Sequence, residues 1–263
     1  MILRIGWMFD DSPAHYERLN SAIIDEVLTA IRGKGFWEAP SFLDKRTCST
    51  LRELLATFIS DNPEHVVGSN KGDERIWAAE HVSPVIRAFK EDPFFEELCT
   101  RFYGVPSQPL FIMANRLDLR DDRIVRSGGR WHRDRATPQL KAMIYLSDVT
   151  DANGPFQMYP YSQVESEAWN DRFELAGLDP ADTRWDDEDF EQFELANQAY
   201  LKQFTAQAGT LIFFDSSVIH SGKPLVEGTR YALTSYCYEK DKKMVRKARK
   251  KWPRAAGPIE WAQ

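Results

Sequence analysis

The sequence predicts an α+β domain in which helices cover one face of an antiparallel β-sandwich or barrel. Three observations carry this. The first ~105 residues are patterned at helical spacing, the stretch after Pro109 breaks into short apolar, β-branched and aromatic runs, and 263 residues is near the limit for one hydrophobic core. Residues 1–263 are therefore expected to form a single domain. It has a mainly helical part over 1–105, a β core over 106–239 with a helical insertion at about 164–200, and a basic tail over 240–263.

From Ala14 to about Ile31, the residues Leu19, Ile23, Ile24, Val27, Leu28 and Ile31 recur on one helical face, and Gly33 and Gly35 end the run. A second helix is expected from Leu43 to Ile59. A third runs from Ser83 to Tyr103, with Ser83-Pro84 as N-cap and first helical position, Pro93 as an interruption and Gly104 beyond its end. Strands follow at Leu110–Leu119, Leu140–Leu146, Phe156–Tyr159, Thr210–Phe214, Val218–His220 and Tyr231–Tyr238. Asn153-Gly154-Pro155 and Ala208-Gly209 supply turns, and the acidic stretch from Trp169 to about Tyr200 reads as helical.

Hydrophobic residues at 43% and charged residues at 28% place the chain among globular proteins and outside the disordered class. The net charge of -6 excludes the overall basic character behind generic nucleic-acid binding, so no nucleic acid is expected as a partner. Cys48, Cys99 and Cys237 are odd in number and far apart, which points to a reducing compartment rather than a disulfide framework. Acidic residues interrupt the apolar N-terminal run, and no stretch approaches a transmembrane length. A cytoplasmic protein is expected.

There are five histidines, His15, His65, His81, His132 and His220. Two carry an acid two positions on. His15-Tyr16-Glu17 lies at a helix start, where i and i+2 diverge, whereas His132-Arg133-Asp134 lies in strand-like context, where they share a face. With His220 at the end of an apolar strand, the set becomes two imidazoles and one carboxylate, the facial triad that holds non-haem Fe(II) with open positions. Arg230, ten residues on at the start of another strand, would come near the metal side. Its rigid fork suits a bidentate grip on a carboxylate.

The chain resembles the phytanoyl-CoA dioxygenase family of Fe(II)/2-oxoglutarate-dependent oxygenases, from about Phe42 to Tyr238. The residues that carry the likeness are Trp131-His132-Arg133-Asp134, the run Lys141 to Val149, Asn153-Gly154-Pro155, and Gly209 to Asp215 leading into His220 and Arg230. The resemblance implies a double-stranded β-helix, a cupin-like jelly roll with helices packed on its major sheet. It also implies iron on His132, Asp134 and His220, O2 as oxidant, and the distal carboxylate of 2-oxoglutarate on Arg230. Relatives that halogenate replace the second ligand by a small residue, so Asp134 implies hydroxylation or another oxidation. One departure is Pro160-Tyr161-Ser162-Gln163, where many members read P-G-S-H; that loop often borders the site and bears on substrate choice.

Strand alternation turns Leu140, Ala142, Ile144 and Leu146 toward helices and leaves Lys141, Met143 and Tyr145 for the barrel interior, where Lys141 or Tyr145 would contact cosubstrate or substrate. Asn115 shares a face with Met113 and Leu117 and would bond 2-oxoglutarate. Seven arginines, Arg116, Arg120, Arg123, Arg126, Arg130, Arg133 and Arg135, read either as a self-paired loop or as a lid over an anionic small-molecule substrate. The tail from Lys240 to Arg254 has nine basic residues against Asp241 alone and reads as a solvated helix past the barrel, or else as a segment that meets an acidic surface such as a partner subunit, a phospholipid head group or nucleic acid. The expected activity is hydroxylation of a small polar or anionic metabolite. The alternatives are a non-catalytic jelly-roll binding protein, or a Zn-dependent hydrolase on the same ligands.

Overall fold

A computed structural model describes residues 19–68, 72–119 and 125–262. In the N-terminal part, α1 (Ile24–Lys34) buries Ile24, Val27, Leu28 and Ile31 and stops at Gly35, so Gly33 lies inside the helix rather than at its end. The stretch expected to begin this helix, residues 14–18, lies outside the described residues. The Asp44 side chain accepts from the Thr47 amide and starts α2 (Lys45–Asp61), a cap worth about 1 kcal/mol. The expected third helix is two, α3 (Pro84–Lys90) and α4 (Pro93–Tyr103), because Pro93 lacks the N–H to continue α3 and Asp92 caps a new start.

The strands are β1 (Phe36–Ala39), β2 (Val66–Val67), β3 (Asp73–Trp77), β4 (Ser107–Asp118), β5 (Leu140–Tyr145), β6 (Phe156–Met158), β7 (Lys202–Gln203), β8 (Leu211–Asp215), β9 (His220–Gly222) and β10 (Thr229–Glu239). They pair antiparallel into a seven-stranded sheet, ordered β1-β8-β5-β10-β4-β3-β2, and a three-stranded sheet, β7-β6-β9. This is a jelly roll with helices on its larger sheet. Three of the strands, β1, β2 and β3, come from the part read as helical; two are four residues or shorter, and the third, Asp-Glu-Arg-Ile-Trp, carries three charges. The strand expected at Val218 begins only at His220.

Burial follows the layers. Leu140, Ala142 and Ile144 of β5, with Leu211 and Phe213 of β8, pack on α1, α2 and α4. Met143, Tyr145, Ile212, Phe214 and Ala232 face Phe156, Met158 and Phe204 across the gap between the sheets. The insertion carries α5 (Glu167–Leu175) and α6 (Asp187–Asn197), which bury an aromatic cluster of Trp169, Phe173, Phe190 and Phe193 against Trp131, Tyr159 and Ile219. They cover the outer side of the smaller sheet.

The C-terminal residues are part of this body. Asp241 caps α7 (Lys242–Lys251), after which Trp252 packs 5.0 Å from Trp77 and 4.6 Å from Phe111 between ring centroids. The Ala256 amide donates to the Trp77 carbonyl and Lys90 Nζ to that of Glu260. The charge count alone described only the outer face of α7. Its inner face of Met244, Val245 and Ala248 closes one end of the concave side of the large sheet.

Candidate metal centre

Trp131–Asp134 runs beside β9, and His132 and His220 exchange both backbone hydrogen bonds, at 3.0 and 2.9 Å. The Asp134 amide donates to the Ser216 carbonyl at 2.9 Å. Alternation along this short extended segment turns His132 and Asp134 to one side, and Met158 on β6 fixes His220 from the other. One potential ligand atom from each of His132, Asp134 and His220 lies within 4.8 Å of the others. Both Nε2 atoms stand 3.7 Å from Asp134 carboxylate oxygens.

Each Nδ1 lies against a backbone carbonyl, His132 on Arg130 at 2.7 Å and His220 on Val218 at 2.8 Å. A carbonyl only accepts, so Nδ1 carries the proton and Nε2 turns a bare lone pair toward the carboxylate. Burial keeps both rings neutral: it lowers the His132 pKa and, with the neighbouring His132, brings His220 down to about 3. Burial opposes the Asp134 charge, but Lys141 and the two imidazoles prevail and hold the carboxyl below its usual range. Side-chain exposures of 6% for each histidine and 24% for Asp134 make the carboxylate edge the open side. Two neutral nitrogens, a charged oxygen and an open edge form a suitable donor set for a divalent iron.

Two glycines fit the backbone around this centre. Gly128 takes a φ of +78°, which side-chain-bearing residues rarely adopt, and a Cβ there would stand a tight 3.3 Å from the His132 ring Cε1. On β9, a Cβ at Gly222 would lie 2.4 Å from the Ser127 carbonyl oxygen, so the 125–130 segment packs directly on the strand that carries His220. The Leu225 amide donates to the Val125 carbonyl at 2.7 Å and fixes the same segment.

The remaining candidates lie on the concave face of the large sheet. The register aligns Arg75, Asn115, Ala232 and Tyr145 in one row, with Arg230 opposite Leu117 in the next. Arg230 is 2% exposed, donates to the Gly154 carbonyl and sits 5.8 Å over the Tyr145 ring. It makes no ion pair among the described residues, and its buried Nε has no partner. A buried guanidinium without an anion is costly. The Tyr145 hydroxyl accepts from the Phe156 amide at 2.9 Å. Asn115 Nδ2 donates to Asp73 at 3.0 Å, leaving its carbonyl oxygen for other use.

Lys141 is placed differently from the other three. It lies opposite Tyr236, six residues along β10 from Arg230 and about 20 Å of strand away, with Nζ bonded to Asp134 and 4.4 Å over the Tyr236 ring. Arg75, which sequence reasoning missed, also faces this region. Burial works against its charge, but Asp73, Tyr236 and Asp134 outweigh it and strengthen its hold on the proton.

The arginine-rich segment is not one free lid. Arg116 is a strand residue bonded to buried Glu74, Arg130 pairs with Asp186 at 2.8 Å, and Arg133 is buried at 1% exposure in the insertion. Arg120 and Arg123 lie outside the described residues. Arg126 lines a cleft of about 960 Å³ with Trp131, Gln157, Glu191 and Glu194, on the outer side of β6 and away from the imidazoles.

Comparison with known proteins agrees with this geometry. None of the curated proteins matches the sequence. Among solved structures, the non-heme alpha ketoglutarate dependent epimerase SnoN from nogalamycin biosynthesis aligns with a TM-score of 0.60 at 16% identity, over 84% of each chain. HygX from Streptomyces hygroscopicus, solved with nickel and 2-oxoglutarate, aligns at 0.60 and 14% identity over 82% of this chain and 87% of its own. EctD from S. alaskensis, with bound Fe, aligns at 0.59 and 17% identity over 86% and 80%. At these identities the likeness shows the shared jelly-roll fold. The sequence itself matches the model of the family described as phytanoyl-CoA dioxygenase over residues 31–230, a stretch that spans the triad and reaches Arg230, and the chain belongs to that family.

Proposed function

We propose that this chain is an Fe(II)/2-oxoglutarate-dependent oxygenase that hydroxylates a small polar or anionic metabolite. The observation that carries the reading is the pairing of the two-histidine, one-carboxylate cluster with a buried guanidinium, Arg230, that has no anion partner among the described residues. His132, Asp134 and His220 would hold the iron, and Arg230 the distal carboxylate of 2-oxoglutarate, with Tyr145 beneath it and Asn115 beside it. Iron and 2-oxoglutarate bound there supply the activation of O2 and the oxidising power. The chain supplies neutral imidazoles, a charged carboxylate and an aromatic wall of Phe156 and Phe214 around His220. Lys141 orients Asp134 from the end away from Arg230. Lys141 is paired with Asp134 and Arg75 with Asp73, so the open edge of the triad is lined by paired polar groups, which suits a small polar or anionic substrate.

Arg230 also separates this reading from zinc hydrolysis, which has no use for a carboxylate clamp. The test is aerobic incubation with Fe(II) and 2-oxoglutarate. Succinate should form, rise further with the right substrate, and vanish in His132→Ala, Asp134→Ala and His220→Ala. Fe(II) binding that persists unchanged in any two of these variants would refute the triad.

A further inference from the structure

The residue between the first two triad positions, Arg133, points the other way from its neighbours and is, with Arg230, the largest of the fully buried side chains. Its guanidinium donates from Nη1 to the carbonyls of Pro180 at 3.0 Å and Asp182 at 3.1 Å, and from Nη2 to that of Ser162 at 2.9 Å. The rings of Phe173 and Trp185 lie 5.2 Å from it. No carboxylate pairs with it among the described residues. A cation kept this deep by carbonyl dipoles and ring faces alone is expensive, so the geometry it enforces needs a reason.

The backbone connections give one. On one side the segment Trp131–Asp134 bonds to His220 and Ser216. On the other side the Arg133 amide donates to the Thr183 carbonyl at 2.9 Å, the Trp185 amide reaches the Trp131 carbonyl at 3.4 Å, and His132 bridges to Arg184. The segment bearing two triad residues is thus a middle strand, and its outer neighbour is the insertion. Ser162 closes the circuit: its hydroxyl accepts from the Ile219 amide at 3.0 Å, one residue before His220, while its carbonyl accepts from Arg133. The backbone positions of all three triad residues therefore meet at one guanidinium.

We infer that Arg133 is a positioning residue through which the α5–α6 insertion sets the spacing of the metal ligands. The insertion is thereby half of the scaffold of the centre. Arginine suits the task because its planar fork reaches three carbonyls at fixed angles while the adjacent rings of Phe173 and Trp185 pack against it, a geometry that a lysine ammonium does not reproduce. This rests on the triad being a metal site, and the experiment separates the two ideas.

Ni(II) affinity and the visible bands of the Co(II)-substituted protein are measured for the wild type, Arg133→Gln, Arg133→Lys and Trp169→Leu. Trp169 lies in the insertion's aromatic core without touching Arg133, so its variant reports general loosening of the insertion. Arg133→Gln should weaken Ni(II) binding at least tenfold and shift the Co(II) bands. Arg133→Lys, which keeps the charge and tests the point should the glutamine variant not fold, should weaken it at least threefold. Trp169→Leu should lower the melting temperature yet stay within threefold of wild type in affinity. If folded Arg133 variants bind Ni(II) as the wild type does, or if Trp169→Leu weakens binding equally, the positioning role is wrong. No Ni(II) binding by the wild type would instead remove the metal site itself, and this inference with it.

Discussion

Two imidazoles kept neutral by burial determine how the centre responds to protons. At an ordinary pKa of about 6.5, each ring would be only about 10% neutral at pH 5.5, and a site needing both would lose about a hundredfold in metal affinity relative to pH 7.5. With His220 brought down to about 3 and His132 also lowered, the loss over that range should stay under tenfold. Ni(II) titrations at the two pH values decide this, and a hundredfold drop would show rings of ordinary basicity. Arg230→Ala should raise the KM for 2-oxoglutarate at least thirtyfold while metal binding survives, since a desolvated charge-assisted pair lost on one side costs about 2–5 kcal/mol. An unchanged KM would move the clamp elsewhere. These residues were legible in the sequence because their chemistry is carried by type and local spacing. The Lys141–Asp134 bond was not, since it depends on side-chain reach across a loop, and Arg75 was hidden in a charged five-residue strand without alternation or turn signals.

At the scale of elements, periodicity identified α1, α2 and β4, β5, β8 and β10, all of which are long enough to show a pattern, and Pro93 marked the break between α3 and α4. The short strands β6 and β9 were marked by apolar runs beside turn residues, whereas β1, β2 and β7, of two to four residues and without such a run, became visible only through their partners. The tail misled for another reason. A dense run of lysines obscures a narrow apolar face, and Met244, Val245, Ala248 and Trp252 are that face. Trp252→Ala should therefore destabilise the protein by about 2–4 kcal/mol, read from denaturant unfolding, because half-buried ring packing against Trp77 and Phe111 is lost. A cost below 0.5 kcal/mol, on the order of an exposed-surface change, would mean that the tail is only loosely attached. Gly222→Ala tests the other contact: with Ser127 in the way, overpacking of about 1–3 kcal/mol is expected, together with weaker Ni(II) binding because His220 is two residues away. Wild-type behaviour would show that the 125–130 segment gives way freely.

For the whole molecule, the same three side chains link stability to pH and to metal. His132 and His220 have folded pKa values below that of a free imidazole, so between about pH 6.5 and the lower folded values the unfolded chain binds more protons than the native one. Stability of the metal-free protein must therefore fall as pH drops from about 6.5 toward 3. Asp134, whose folded pKa is also lowered, adds to the loss only below the usual carboxylate range. A divalent ion that binds the native triad and not the unfolded chain acts in the opposite sense. At a concentration one hundred times its Kd it adds about 2.7 kcal/mol, which for a chain of this size is a rise of roughly 5–10 °C in Tm. The rise should occur at pH 7 with Ni(II), be absent in Asp134→Ala, and leave the acid limb of the stability curve steeper in the metal-free protein than in His220→Gln, which has one fewer suppressed imidazole. If the wild type and Asp134→Ala gain equally from Ni(II), the stabilisation comes from some other place on the surface. If His220→Gln keeps the full acid slope, the buried imidazole is not its source.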